Sequence, residues 1–131
     1  MKARVLLVDD EPVILECLGA ILSGEKCEVK AVGSAAAAAT ALKEAAYDLV
    51  ITDMAMETET AGWTVVREAQ QQSIRPQVFI LTAFHIPAAE WKRRGVQQLF
   101  TKGQGNLAVI MQAVKRALDE QSCVSLRCAG N

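Results

Sequence analysis

The chain has 131 residues, 51% of them hydrophobic and 22% charged, with a formal net charge of −1. That is the size and composition of one compact domain, and no apolar run reaches the roughly 20 residues of a membrane-spanning helix. The near balance of acid and base leaves no global field to attract nucleic acid or anionic lipid, so neither direct nucleic-acid binding nor membrane binding is expected.

The N-terminus, with few apolar residues before Asp9-Asp10, is too short for a signal peptide, and a cytoplasmic protein is expected. Four cysteines at positions 17, 27, 123 and 128 form no CxxC pair, and His85 is the one histidine. They read as structural or incidental thiols rather than a zinc or redox site.

Short apolar runs alternate with helical patterns along the chain. The first run, Arg4 to Val8, ends at Asp9-Asp10, and "EPVILECLGAILSG" after it puts Ile14 or Leu15, Leu18, Ile21 and Leu22 on one helical face, with Gly24 as a stop. A second strand, Glu28 to Val32, precedes "SAAAAATALKEAAY", where Ser34 is a candidate N-cap. The third strand, Leu49 to Thr52, meets Asp53 and is followed by the helix "GWTVVREAQQQ".

The fourth strand, Gln77 to Leu81, ends at Thr82, and "PAAEWKRRG" supplies a short helix that Gly95 terminates. The fifth, Gln98 to Thr101, ends at Lys102, ahead of "GNLAVIMQAVKRALDEQ" with Leu107, Ile110, Val114 and Leu118 at helical spacing. Residues 121–131 show no clear periodicity and read as a flexible C-terminal tail behind a domain of residues 1–120. Five strands alternating with five helices predict a doubly wound α/β fold with a parallel sheet and right-handed crossovers.

In such folds ligands bind beyond the C-terminal ends of the strands. Asp9, Asp10 and Asp53 would converge there, and clustered carboxylates repel unless a cation joins them. An all-oxygen, carboxylate-rich set suits Mg²⁺ or Mn²⁺. Thr82 and Lys102 end strands on the same rim and would offer a hydrogen bond and a fixed positive charge to an incoming phosphoryl group.

At these residues the sequence resembles the receiver domains of two-component response regulators. "VLLVDDEP", "DLVITDM", "ILTA" and "FTKG" fall in the family's order, over about Lys2 to Glu120. The resemblance implies a flavodoxin-like five-stranded sheet of order 2-1-3-4-5 and a phospho-acceptor at Asp53. It also implies a metal site of Asp9, Asp10, Asp53 and the Ala55 carbonyl, a switch hydroxyl at Thr82 and phosphate pairing by Lys102. Glu11 is expected to face solvent or cap the first helix.

The function so implied is that of a stand-alone receiver. It would take phosphate from a histidine kinase or histidine phosphotransfer protein and signal to a downstream protein, as a monomer or a phosphorylation-dependent homodimer. It would not be an enzyme beyond its own phosphorylation and dephosphorylation. A phosphate-independent docking module and, more remotely, a small Mg²⁺-dependent phosphatase are the alternatives.

The chain departs from the family pattern in several places. Glu57 stands where receivers commonly have proline, four residues past the acceptor, so a more mobile loop is expected there, and Gly62 arrives about one residue late. Gly103 follows Lys102 in place of proline. Leu99 holds the usual aromatic position, while Phe100 should face the other side of the sheet. Ala55 and Phe84 cannot orient a hydrolytic water by side-chain hydrogen bonding, so a slow loss of phosphate is expected. Trp91, Arg93, Arg94, Leu99 and Phe100 are the candidate partner surface.

Overall fold

The structure, a computed structural model, describes residues 3–23, 27–102 and 107–129, and of Leu107 and residues 120–129 only the backbone. Gly24 and Gly103 therefore lie outside the described residues. In chain order the elements are β1 (Ala3–Val8), α1 (Pro12–Leu22), β2 (Cys27–Val32), α2 (Ala35–Glu44), β3 (Leu49–Asp53), α3 (Ala61–Gln70), β4 (Gln77–Thr82), α4 (Ala88–Arg93), β5 (Gln98–Thr101) and α5 (Leu107–Ala129). All four strand pairings are parallel and the strand order is β2-β1-β3-β4-β5. This is the flavodoxin-like order that the family resemblance implies.

Strand alternation divides the core in two. Leu6, Val8, Val50, Val78 and Ile80 face one side with Ala38, Leu42, Val65 and Ala69 of α2 and α3. Val5, Leu7, Leu49, Ile51, Phe79 and Phe100 face the other with Leu18 and Leu22 of α1 and Ile110 and Val114 of α5. β3, central in the sheet, is buried throughout, whereas edge strand β2 exposes Glu28 and Lys30. The alanines of α2 let that helix lie close to the sheet, with Ala35, Ala38 and Ala41 buried.

Helix ends follow local chemistry. Ser34 is the N-cap of α2, its hydroxyl accepting from the Ala37 N–H at 3.0 Å. Gly95 follows α4 with φ of 87°, a left-handed conformation that removes the Cβ penalty only for glycine. Two expectations on the helices change. Ile21 is 44% exposed because the buried stripe of α1 is narrower than the sequence pattern, and α5 continues unbroken to Ala129, past Glu120.

Phe100 also needs correction as a partner-surface residue. It is 8% exposed and packs edge-to-face on Phe79, with ring centroids 5.8 Å apart. Alternation carries it to the α1/α5 side, and such a ring pair contributes about 1 kcal/mol beyond its buried area.

Candidate functional site

Register explains why three charged side chains meet. Val8 pairs with Thr52, so Asp9, one residue further along, lies in the row of Asp53. Asp9 continues the alternation of Val5 and Leu7, Asp53 that of Leu49 and Ile51, and Lys102 that of Phe100, all on the α1/α5 side. One more parallel bond past the paired strands fixes each end. The Asp9 N–H donates to the Val32 carbonyl (3.1 Å), Met54 N–H to Leu81 (3.2 Å) and Lys102 N–H to Thr82 (2.7 Å).

The Lys102 ammonium lies 3.0 Å from Asp53 Oδ2, 3.1 Å from Asp9 Oδ2 and 3.2 Å from Glu11 Oε1. Burial is the largest single influence on this lysine and opposes its charge. The hydrogen bond to Asp53 and the attraction of both Asp53 and Asp9 together outweigh it, so its pKa rises above the ordinary lysine range. The Asp9 carboxyl shifts upward as well, because burial disfavours its charge more than the Glu11 N–H and the shared lysine support it. One ammonium divided among three carboxylates does not neutralise all of them.

Asp9 is fully buried. Its Oδ1 accepts from the Glu11 N–H at 2.9 Å, but its Oδ2, although close to the ammonium, accepts no hydrogen bond among the described residues. Asp9, Asp10, Glu11 and Asp53 each bring a carboxylate oxygen within 4.8 Å of the others. A buried unsatisfied oxygen in an all-oxygen, net negative cluster is the donor chemistry of a hard divalent cation, so the residues present fit Mg²⁺. Ala55, two residues past Asp53, is half-buried in the β3–α3 loop.

Thr82 shares the opposite phase with Val78 and Ile80, and is fully buried. Its hydroxyl oxygen accepts from the Phe84 N–H at 3.0 Å, which leaves the hydroxyl proton for another acceptor. Phe84 itself is 51% exposed. His85 lies beside it in a cleft of about 320 Å³ that Met54, Trp63 and Pro87 also line.

The expected partner surface is not one patch. Trp91 and Leu99 are half-buried against the α2/α3 core, Arg93 is exposed, and Arg94 stacks over Trp63 at 4.2 Å from the ring centroid. Phe100 is on the far side of the sheet.

Two contacts beside the acidic cluster were not anticipated from the sequence. Glu11 turns to Lys102 and makes no side-chain cap on α1. Glu57, in place of the usual proline, spans to α2, where its two carboxylate oxygens accept from the Ala35 N–H (2.9 Å) and the Ala36 N–H (3.2 Å). Acidic residues followed by short polar loops offered no signal for either, because both contacts bridge residues distant in sequence.

A family model described as "Response regulator receiver domain" matches residues 5–115. The chain is 35% identical over 122 residues to the transcriptional regulatory protein GlrR of Escherichia coli, covering 92% of this chain and 27% of that protein. It is 26% identical over 119 residues to a gliding motility regulatory protein of Myxococcus xanthus, covering 88% of this chain and 15% of that one. The chain thus spans about a quarter or less of the length of these relatives.

Among solved structures, the response regulator TrrA of Thermotoga maritima in complex with Mg²⁺-BeF shares 27% identity at a TM-score of 0.74, covering 89% of this chain and 99% of that one. A CheY-like receiver domain protein of Methanospirillum hungatei superposes at 0.81 with 19% identity, covering 93% and 98%, a likeness of fold.

Proposed function

Because this chain belongs to the response regulator receiver family, we propose that Asp53 is its phospho-acceptor and that Asp9, Asp10, Asp53 and the Ala55 carbonyl hold the Mg²⁺ that receivers bind in their acidic site. Mn²⁺, with the same oxygen preference, is the substitute to test. The observation that carries the reading is Lys102, held 3.0 Å from Asp53 Oδ2 and 3.1 Å from the unsatisfied Asp9 Oδ2.

Receivers interact with histidine kinases or phosphotransfer proteins, and the donor here is a phosphohistidine of such a partner. An Asp53 carboxylate oxygen attacks phosphorus in line, the O–P bond forms as the N–P bond breaks, and the histidine nitrogen recovers its electron pair. When bound, the divalent cation supplies charge neutralisation for the transferring group. Lys102 stays protonated throughout and pairs with the phosphoryl oxygens, and the free Thr82 hydroxyl proton turns to the same group. Asp9 and Glu11, which share Lys102 beforehand, release it.

The product adds negative charge at Asp53 and shifts the surface that a downstream protein reads. The chain acts as a signalling module in the cytoplasm, as a monomer or a phosphorylation-dependent homodimer, and contacts no nucleic acid itself. Whether an effector is attached or separate, this domain's role is the same. No described helix is long and apolar enough to cross a membrane.

Mass spectrometry after incubation with Mg²⁺ and acetyl phosphate tests the reading: a phosphoryl mass increment is expected on wild type and not on Asp53→Asn. An equal increment on both sinks it. One observation favours a second reading, a docking module independent of phosphate. Leu99 holds the usual aromatic position and Phe100 is locked on Phe79, so the threonine-to-aromatic relay has no aromatic to move. Partner affinity unchanged by phosphorylation would favour it.

A further inference from the structure

The β3–α3 loop carries the residues just past Asp53, and its conformation has few local supports. The Met54 carbonyl accepts from the Gly62 N–H at 2.7 Å and the Met56 N–H donates to the Thr58 carbonyl at 2.9 Å. Ala55, between them, makes no hydrogen bond among the described residues. The next fixed point is Glu57, and it is fixed by another element. Its carboxylate receives the Ala35 and Ala36 N–H groups at the N-terminus of α2, while Ser34 receives that of Ala37. Three of the helix's otherwise unpaired donors are thereby satisfied, two of them from the acceptor loop.

The chemistry favours this strut. A carboxylate at a helix N-terminus gains from the helix dipole and from charge-assisted hydrogen bonds, and hydrogen bonding by the Ala35 N–H is the largest cause of the lowered Glu57 pKa. Ser34 alone would have capped the helix, so the second, longer-range cap is better understood by what it does to its own loop. Glu57 lies two residues after Ala55 and four after Asp53, and a proline there would have stiffened the loop through its own ring. Here the tie comes from α2.

We infer that Glu57 is a positioning residue for the cation site: its bridge to Ala35 and Ala36 holds the loop that presents Ala55, and occupancy of the acidic pocket is felt in return at the first turn of α2. The inference rests on the metal site proposed above. Its two directions are linked, since a bridge that favours cation binding must itself be favoured by the bound cation to the same extent. Outer contacts of this kind typically change metal affinity by about tenfold or more.

The test measures Mg²⁺ affinity by calorimetry and backbone amide exchange at Ala35 and Ala36, on wild type, Glu57→Ala and Ser34→Ala. Wild type should bind Mg²⁺, and the cation should slow exchange of these two amides. Glu57→Ala should bind about tenfold more weakly, with amides that exchange fast and ignore Mg²⁺. Ser34→Ala, which loosens α2 without touching the loop, should keep the wild-type affinity. Equal affinity in wild type and Glu57→Ala overturns the inference while leaving the metal site standing. Equal weakening by Ser34→Ala overturns it too, because helix stability would then be the cause. Failure of wild type to bind Mg²⁺ overturns both the metal site and this inference.

Discussion

The two flanks of the acidic pocket are held by different forces. On the β3 side Gly62 is pressed against the end of the strand, Glu57 is bonded to α2 and Lys102 draws three carboxylates together. On the β4 side, α4 has six residues and buries none of them. It is fastened by Arg94 on Trp63, by the Gln70 amide on the Arg94 carbonyl and by the exposed Glu90–Arg94 pair at 3.7 Å. The first flank uses backbone bonds and an ammonium shared with two carboxylates held out of water, Asp9 and Asp53, where removing one partner strands another. The second uses side-chain contacts that water replaces easily, so it is the flank that can move at low cost.

Substitutions that break this contrast separate by size. Lys102→Ala should have the largest effect, a loss of about 3 kcal/mol in chemical denaturation without divalent ions, because Asp9 and Asp53 are left buried and unpaired. Millimolar Mg²⁺ should return part of that loss by binding the folded state. A denaturation curve that matches wild type would mean that water already neutralises the cluster.

Gly62→Ala comes next. A Cβ there would lie 2.7 Å from the Asp53 carbonyl oxygen and 2.8 Å from the Met54 Cα, so backbone must shift, at about 2 kcal/mol. Full stability in that variant would show that α3 can withdraw from β3, contrary to a rigid β3 flank.

Asp9→Asn should act in the opposite direction, stabilising the ion-free protein by about 1 kcal/mol at neutral pH through removal of a buried charge with an unsatisfied oxygen. The sign in pH follows from linkage. Folding raises the Asp9 pKa from 3.8, so the folded state keeps its proton where the unfolded chain has lost it. Wild-type stability therefore falls as pH rises from about that value through the raised one, then levels. The advantage of Asp9→Asn should be present above this window and absent below it. An advantage that persists in acid would point to packing instead.

Arg94→Ala should cost least, under about 1 kcal/mol, since a cation–π contact and an exposed helical ion pair are each worth a fraction of that. Its thermal midpoint should shift less than that of any variant above. A larger loss would show that α4 is as firmly held as the β3 flank.

Much of this was legible in the residues themselves. Alternating apolar runs and helical patterns determined five β/α units, and Asp9, Asp10, Asp53, Thr82 and Lys102 were identifiable because each stands at or just past the end of its strand. Parallel pairing brings such ends to one rim whatever the helices do. The opposite phase of Phe100 also followed from period two alone, although its burial on Phe79 depends on what α5 brings to that side.

Tertiary structure decided what depends on distance through space. Glu11 and Glu57 look alike in sequence, acidic residues beside polar loops, yet one reaches Lys102 at a separation of 91 residues and the other α2 at 22 and 21. Local periodicity carries no information about such pairs, because their energy arises only after the sheet has set the loops side by side. The sharing of one ammonium among three carboxylates, and the oxygen of Asp9 that remains unsatisfied, likewise exist only in the assembled rim.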